Sequence, residues 1–216
     1  MTGSDDVRSA VALLAERFSR GELTDRMVKE SDHYPEVSFQ TALYKKAKDV
    51  GFLDIFTAIR SENTSEALAS MAEILFAISR VDASVAAVLF GQAFAHQLLS
   101  SANMDGAVSE LAFIATPLYE DPIDLPMSVM ASASGDQYAL SGQLNFMVMA
   151  PVANTFIVPA MLQGDLALFL ANKSDRLQCS APIISLGLRA CPAADIRMGG
   201  CEGFAFGAGG KCKTPL

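Results

Sequence analysis

The chain has 216 residues, enough for one large domain or two modest ones. Its formal net charge is −8 and its pI about 4.7, with no basic cluster larger than Lys45-Lys46, which excludes a phosphate-neutralising nucleic-acid surface. Hydrophobic residues make up 51% and the mean hydropathy is +0.30, high for a freely soluble monomer, so a partner or second copy is expected to cover apolar surface.

The N-terminus carries acidic residues where a secretory signal is basic, and Glu16 and Arg17 break its apolar positions, so a cytoplasmic location is expected. A first amphipathic helix spans 4–20, with Asp5 and Asp6 in its first turn and Gly21 as its C-terminal cap. A second spans 35–50: Pro35 takes the first helical position, Lys45, Lys46 and Lys48 crowd the last turns, and Gly51 closes it. Residues 52–59 read as an apolar connector. Asn63, Thr64 or Ser65 caps a third helix with a stripe of Leu68, Met71, Leu75 and Ile78. Ile74 and Phe76 fall off that stripe, which predicts burial on more than one side. Asp82 caps a fourth helix, from Ala83 to about Ser100, apolar nearly all round. The uncharged run from Ala83 to Met104 raises a membrane span, but Gln92, His96, Gln97 and Asn103 favour a buried core helix, with His96 a satisfied core histidine.

Composition changes at Asn103 to Gly106, after which segments shorten and turn signals multiply. Strands are predicted over 111–117, 127–134, 138–149, 155–162, 166–171 and 183–188. Ser134-Gly135-Asp136 and Gln163-Gly164-Asp165 are hairpin turns, and Gly142 marks a bulge or a close approach to the backbone. The fold class is therefore α+β: an N-terminal helical bundle followed by an antiparallel β-barrel or sandwich. The expected boundaries are 1–108 for the helical domain, 109–200 for the β domain and 201–216 for a Gly-rich tail. Cys179, Cys191, Cys201 and Cys212 lie 12, 10 and 11 residues apart, without the close spacing of a zinc site, so no metal and no disulfide are expected. Gly210-Lys211 does not complete a phosphate loop, because Ala205 and Cys212 stand where that motif needs Gly and Ser/Thr.

Several stretches together resemble the acyl-CoA dehydrogenase family. Ser79-Arg80-Val81-Asp82-Ala83-Ser84-Val85 is similar to the join between that family's third and fourth long helices. Gly135-Asp136-x-Tyr138-x-Leu140-x-Gly142-Gln143 resembles the hairpin leading to its flavin wall, with Phe146 on the wall's aromatic position. Ala153-Asn154 and Thr155 to Val158 resemble the next strand, and Leu186-Gly187-Leu188-Arg189-Ala190 a Met-Gly-x-Arg turn late in the middle domain.

The resemblance implies an FAD enzyme that takes a proton α and a hydride β to an acyl-CoA thioester carbonyl, with a carboxylate base and donors on the thioester oxygen. It places the cofactor-binding residues at Thr116, Phe146, Met147 and Val148. It supplies no catalytic residue: the family's third, helical domain, which carries the catalytic Glu, has no counterpart before Leu216, and Glu62, Glu66, Glu73 and Glu110 read as solvated. The helix that bridges the two halves in the family also looks deleted between Ser100 and Gly106.

The wall itself departs from the family pattern. Thr-Glu-Pro and its Gly-Ser-Asp turn become Thr116-Pro117-Leu118-Tyr119-Glu120-Asp121, and Trp-Ile-Thr becomes Phe146-Met147-Val148, losing a hydroxyl; backbone donors at Met147 and Val148 remain. Each lost hydrogen bond costs about 1–3 kcal/mol, so two or three weaken flavin binding roughly 10²- to 10⁴-fold. The expected function is the flavin and acyl-CoA half of such a dehydrogenase, inactive alone and completed within a homo- or hetero-oligomer by a dehydrogenase-like chain. The alternative is a non-catalytic assembly or acyl-binding subunit, a pseudoenzyme.

Overall fold

A computed structural model of the chain describes residues 3–23, 37–57, 64–104, 106–109, 112–117, 128–184 and 187–206. It divides into two compact units, one of residues 1–97 and 185–191, the other of 98–184 and 192–216.

The first unit is helical. Helix α1 (Gly3–Glu22) buries Ala15, Phe18 and Ser19, and its Ser19 hydroxyl donates to the Ala15 carbonyl at 2.8 Å and to Ala77 O at 3.4 Å. Gly21 is helical and does not cap: the buried Leu23 donates its N–H to Ser19 O, carrying the last turn past the glycine. Helix α2 (Val37–Asp49) ends as the sequence predicts, with Gly51 at φ +82° and its N–H on Lys48 O at 2.8 Å. Pro35 lies outside the described residues.

The expected connector is a short helix, α3 (Phe52–Thr57). Its fully buried Phe52 meets Phe18 edge-on at 5.2 Å, which fixes this segment against α1. Helix α4 (Thr64–Ser79) turns inward a face that shares only Ile78 with the stripe hydrophobicity selects: Ala67, Ser70, Ile74, Ala77 and Ile78 are buried, while Leu68 and Phe76 are 45% and 63% exposed. Small side chains on the packed face let helices approach closely, and α4 lies against α1 with Ala77 O reached by Ser19. An Arg8–Glu73 ion pair at 3.4 Å spans the same two helices.

Helix α5 (Ala83–Ser101) begins where expected. Asp82 Oδ1 accepts from the N–H groups of Ser84 (2.7 Å) and Val85 (3.2 Å), a side-chain N-cap. Among the described residues it is the one helix long and apolar enough to cross a membrane, and 56% of that stretch is buried, as in a core helix.

The second unit is a β-barrel. Strands β1 (Ile114–Ala115), β2 (Val129–Ser134), β3 (Gln137–Val148), β4 (Thr155–Leu162), β5 (Asp165–Asn172), β6 (Leu177–Cys179) and β7 (Ala193–Phe206) form one sheet. It closes through β4-β2-β3-β7-β5 and back to β4. The pairings are antiparallel except β2–β4 and β1–β4, which are parallel, so the expected antiparallel barrel is a mixed one. Both hairpin turns form as read, with Gly135 at φ +64° and with Gln163 and Gly164 both left-handed. Leu140, Leu144, Met147, Phe156, Val158, Phe169 and Ile196 fill the unit's core.

Three sequence expectations fail here. Residues 201–206, assigned to a loose tail, are the second half of β7, which pairs with β3 and β5. Glycines hid that strand, and Gly203 is needed because a Cβ there would lie 2.7 Å from Leu140 Cδ1. The described part of 183–188 is not a strand; Ile183 makes one backbone bond, to Ala193 O. Of the strand expected over 111–117, two residues form β1, with Thr116 bridged to Val148.

Candidate flavin wall on strand β3

After an earlier shift between Leu140 and Ser141, strand β3 faces β7 in register from Ser141↔Gly199 to Leu144↔Ile196, and the ladder resumes at Met147↔Ala194. Asn145 and Phe146 thus oppose a single residue, Asp195, which is a β-bulge. Phe146 adopts φ +54°, a left-handed backbone that aromatic residues rarely take. Its N–H, turned out of the ladder, donates to Asp195 Oδ1 at 2.9 Å. The left-handed conformation costs about 1–2 kcal/mol, and a hydrogen bond to a carboxylate contributes about 1.5–3 kcal/mol, so the bond suffices to hold it. Asp195 is fixed in turn by Ser180, whose N–H donates to Asp195 O (2.8 Å) and whose hydroxyl accepts from Asp195 N–H (3.1 Å). Three residues on, Met149 is also left-handed, at φ +64°, with its N–H on Pro192 O at 2.6 Å.

The structure brings Thr116, Phe146, Met147 and Val148 together at the end of this strand. Thr116 and Val148 exchange both backbone hydrogen bonds, at 3.2 and 3.0 Å. Thr116, Met147 and Val148 are 2%, 0% and 1% exposed, whereas Phe146 is only partly buried. The N–H of Val148, expected to serve as a flavin donor, is therefore committed to Thr116 O, and that of Phe146 to Asp195. For a flat aromatic cofactor these residues fit as an apolar wall with one aromatic side chain at its surface. The amides of Phe146 and Val148 do not fit as its hydrogen-bonding edge. Leu118, Tyr119, Glu120 and Asp121 lie outside the described residues, as do Glu62 and Glu110.

Asp195 escaped the sequence reading, although a lone carboxylate between Ala193-Ala194 and Ile196 is a signal that such an apolar run has an internal polar partner to serve. It lines a cleft of about 250 Å³ with Gln143, Gln178, Cys179, Ser180 and Arg197. Burial pushes the Cys179 thiol up from its ordinary pKa, opposed in part by Lys173, and the thiol points to Ala150 O at 3.6 Å, an arrangement that disfavours the nucleophilic thiolate.

In the helical unit, burial and, less strongly, Lys48 lower the pKa of His96. Its Nε2 is buried and, among the described residues, has no hydrogen-bond partner, so this histidine is not the satisfied core residue that the sequence suggests. Among the described residues no group of His, Cys, Asp and Glu is placed to hold a metal.

No family model matches the sequence, and no curated protein matches it either. Solved structures do match. An acyl-CoA dehydrogenase complexed with FAD from Bacillus anthracis superposes with a TM-score of 0.74 at 18% identity, over 96% of this chain and 38% of that one. Butyryl-CoA dehydrogenase from Megasphaera elsdenii gives 0.70 at 15% identity, over 95% and 60%. Glutaryl-CoA dehydrogenase from Mycobacterium smegmatis gives 0.72 at 14% identity, over 94% and 54%. This chain thus spans less than two thirds of the length of each. Across nearly all of its own length, it has the acyl-CoA dehydrogenase fold.

Proposed function

We propose that the barrel end around Phe146 is one wall of a flavin site in an FAD-dependent α,β-dehydrogenation of acyl-CoA thioesters. The observation that carries this reading is the bulge: β3 departs from its ladder to hold one aromatic side chain partly exposed, next to the buried Thr116, Met147 and Val148 at the same strand end. FAD bound there would accept the hydride from the β-carbon of the thioester. The chain's own share is to orient the ring and keep water from one face, through Phe146 and the apolar residues that support it. We assign the proton-abstracting carboxylate and the hydrogen-bonding edge of the flavin to residues beyond this chain's described wall, supplied within an oligomer. Leu68, Phe76, Phe90 and Phe94, all more than 40% exposed on the helical unit, fit burial against another chain.

The test is the visible spectrum and gel-filtration mass of the purified protein, alone and after co-expression with a dehydrogenase-like chain. A yellow oligomer that turns over acyl-CoA only in the mixture is the expected result. A colourless complex, inactive with added FAD, rejects the reading.

One observation favours a second reading, a non-catalytic acyl-binding or assembly subunit. The Thr116–Val148 exchange seals two of the four wall residues against each other. Calorimetric titration separates the two: binding of acyl-CoA without FAD supports the subunit role, and micromolar FAD binding by this chain counts against it.

A further inference from the structure

Phe146 keeps a partly exposed side chain on a left-handed backbone, and nothing in its own chemistry favours that state, because a Cβ makes it unfavourable. The ladder does not impose it either, since the pairing to β7 lapses at Asn145 and Phe146. What meets the freed N–H is the carboxylate of the opposing residue, at 2.9 Å. That carboxylate is held from the far side, with both backbone groups of Asp195 bonded to Ser180. The order of constraint runs from Ser180, just past β6, to Asp195 on β7 and Phe146 on β3.

We infer that Asp195 is the positioning residue of this wall: its carboxylate fixes the Phe146 backbone, and through it the direction of the aromatic side chain. The assignment of that side chain to a flavin rests on the reading above; the fixing of the backbone does not. An ionised acceptor makes a shorter and stronger bond than a neutral one, so Asp195→Asn, which keeps an oxygen in place, retains much of the effect, and Asp195→Ala removes it.

The experiment measures two quantities on the full chain: amide hydrogen exchange at Phe146 by NMR, and FAD affinity by flavin fluorescence. In Asp195→Ala, protection at Phe146 should fall about tenfold, the loss of one charge-assisted hydrogen bond, and the FAD Kd should rise by a similar factor. Amides of Val158 and Leu170, in strands away from the bulge, should keep their protection, and Asp195→Asn should fall between wild type and Asp195→Ala in both readouts. Should Asp195→Ala not fold, Asp195→Ser, whose side chain is too short to reach the amide, takes its place. Unchanged protection at Phe146 in the truncated variant overturns the inference. So does an unchanged FAD Kd in a background where Phe146→Ala raises it. A wild-type chain that binds no FAD, yet whose Phe146 protection still depends on Asp195, overturns the flavin reading and supports the positioning role.

Discussion

The carbonyl oxygen of Ser128 occupies the space that a Cβ on Gly142 would need, with Val129 Cα a further 2.8 Å neighbour of that same point. Gly142 itself sits at φ +142° in the middle of β3. Both partners are backbone, so neither can rotate away. Gly142→Ala should therefore cost about 3 kcal/mol or more, at the upper end for a single methyl, read as a fall in the urea midpoint. Gly199→Ala is the control: among the described residues a Cβ there meets nothing within 4 Å, and stability should stay within about 1 kcal/mol of wild type. Equal losses at the two positions would show that the close approach of β2 to β3 is not what Gly142 serves.

That glycine also shows what could be read without coordinates. An isolated Gly in an alternating strand signals close approach, and Gly135, Gln163 and Gly164 signal hairpins, because each local demand has few chemical solutions. Asp82 was legible for the same reason. The α4 face was not, since Leu68 and Phe76 outscore Ala67, Ser70 and Ala77 on hydrophobicity while the small residues suit close packing on α1. Strand β7 was missed because Gly199, Gly200 and Gly203 look like a linker until Leu140 is placed beside them. Thr116, Phe146, Met147 and Val148 were read as a group and lie together at the end of β3, yet Asp195, which holds the Phe146 amide, sits on the neighbouring strand 49 positions away in sequence.

Asp82 caps α5 with one carboxylate oxygen on two amides. It is 9% exposed, so water cannot readily replace it. Asp82→Ala should lower stability by about 1–2 kcal/mol, and Asp82→Asn, which keeps an acceptor, by less than half of that. Thermal unfolding of the three proteins at one pH checks the order.

His96 makes the helical unit sensitive to acid. Its folded pKa is lowered from 6.5, first by burial and then by Lys48, so the unfolded chain takes up its proton at a higher pH than the folded one. The contribution is fully present above about pH 6.5 and is lost as pH falls below it, because the unfolded state binds more protons there. Between about pH 7 and about pH 5.5 stability should fall by no more than about 1 kcal/mol, the side chain being only partly buried. His96→Gln should flatten that slope in urea unfolding, while a slope that survives the substitution assigns the acid sensitivity to another group.

Leu140 and Gly203 test whether the glycine-rich half of β7 is a packed strand. Leu140 is fully buried, and its Cδ1 and Cγ lie 2.7 and 2.9 Å from where a Cβ on Gly203 would stand. Leu140→Ala should cost about 2–5 kcal/mol for the cavity it leaves, and Gly203→Ala about 1–3 kcal/mol for the overpacking it forces. The two are not independent. In the Leu140→Ala background the added methyl enters the vacated space, so Gly203→Ala should cost less than in the wild type or restore some stability. The double-mutant cycle should show a favourable coupling of about 1–2 kcal/mol, within the range found for residues in contact. Strict additivity would mean that residues 201–206 do not pack on β3 in solution, and with that the barrel closure that positions Phe146 against Asp195 would lose its support.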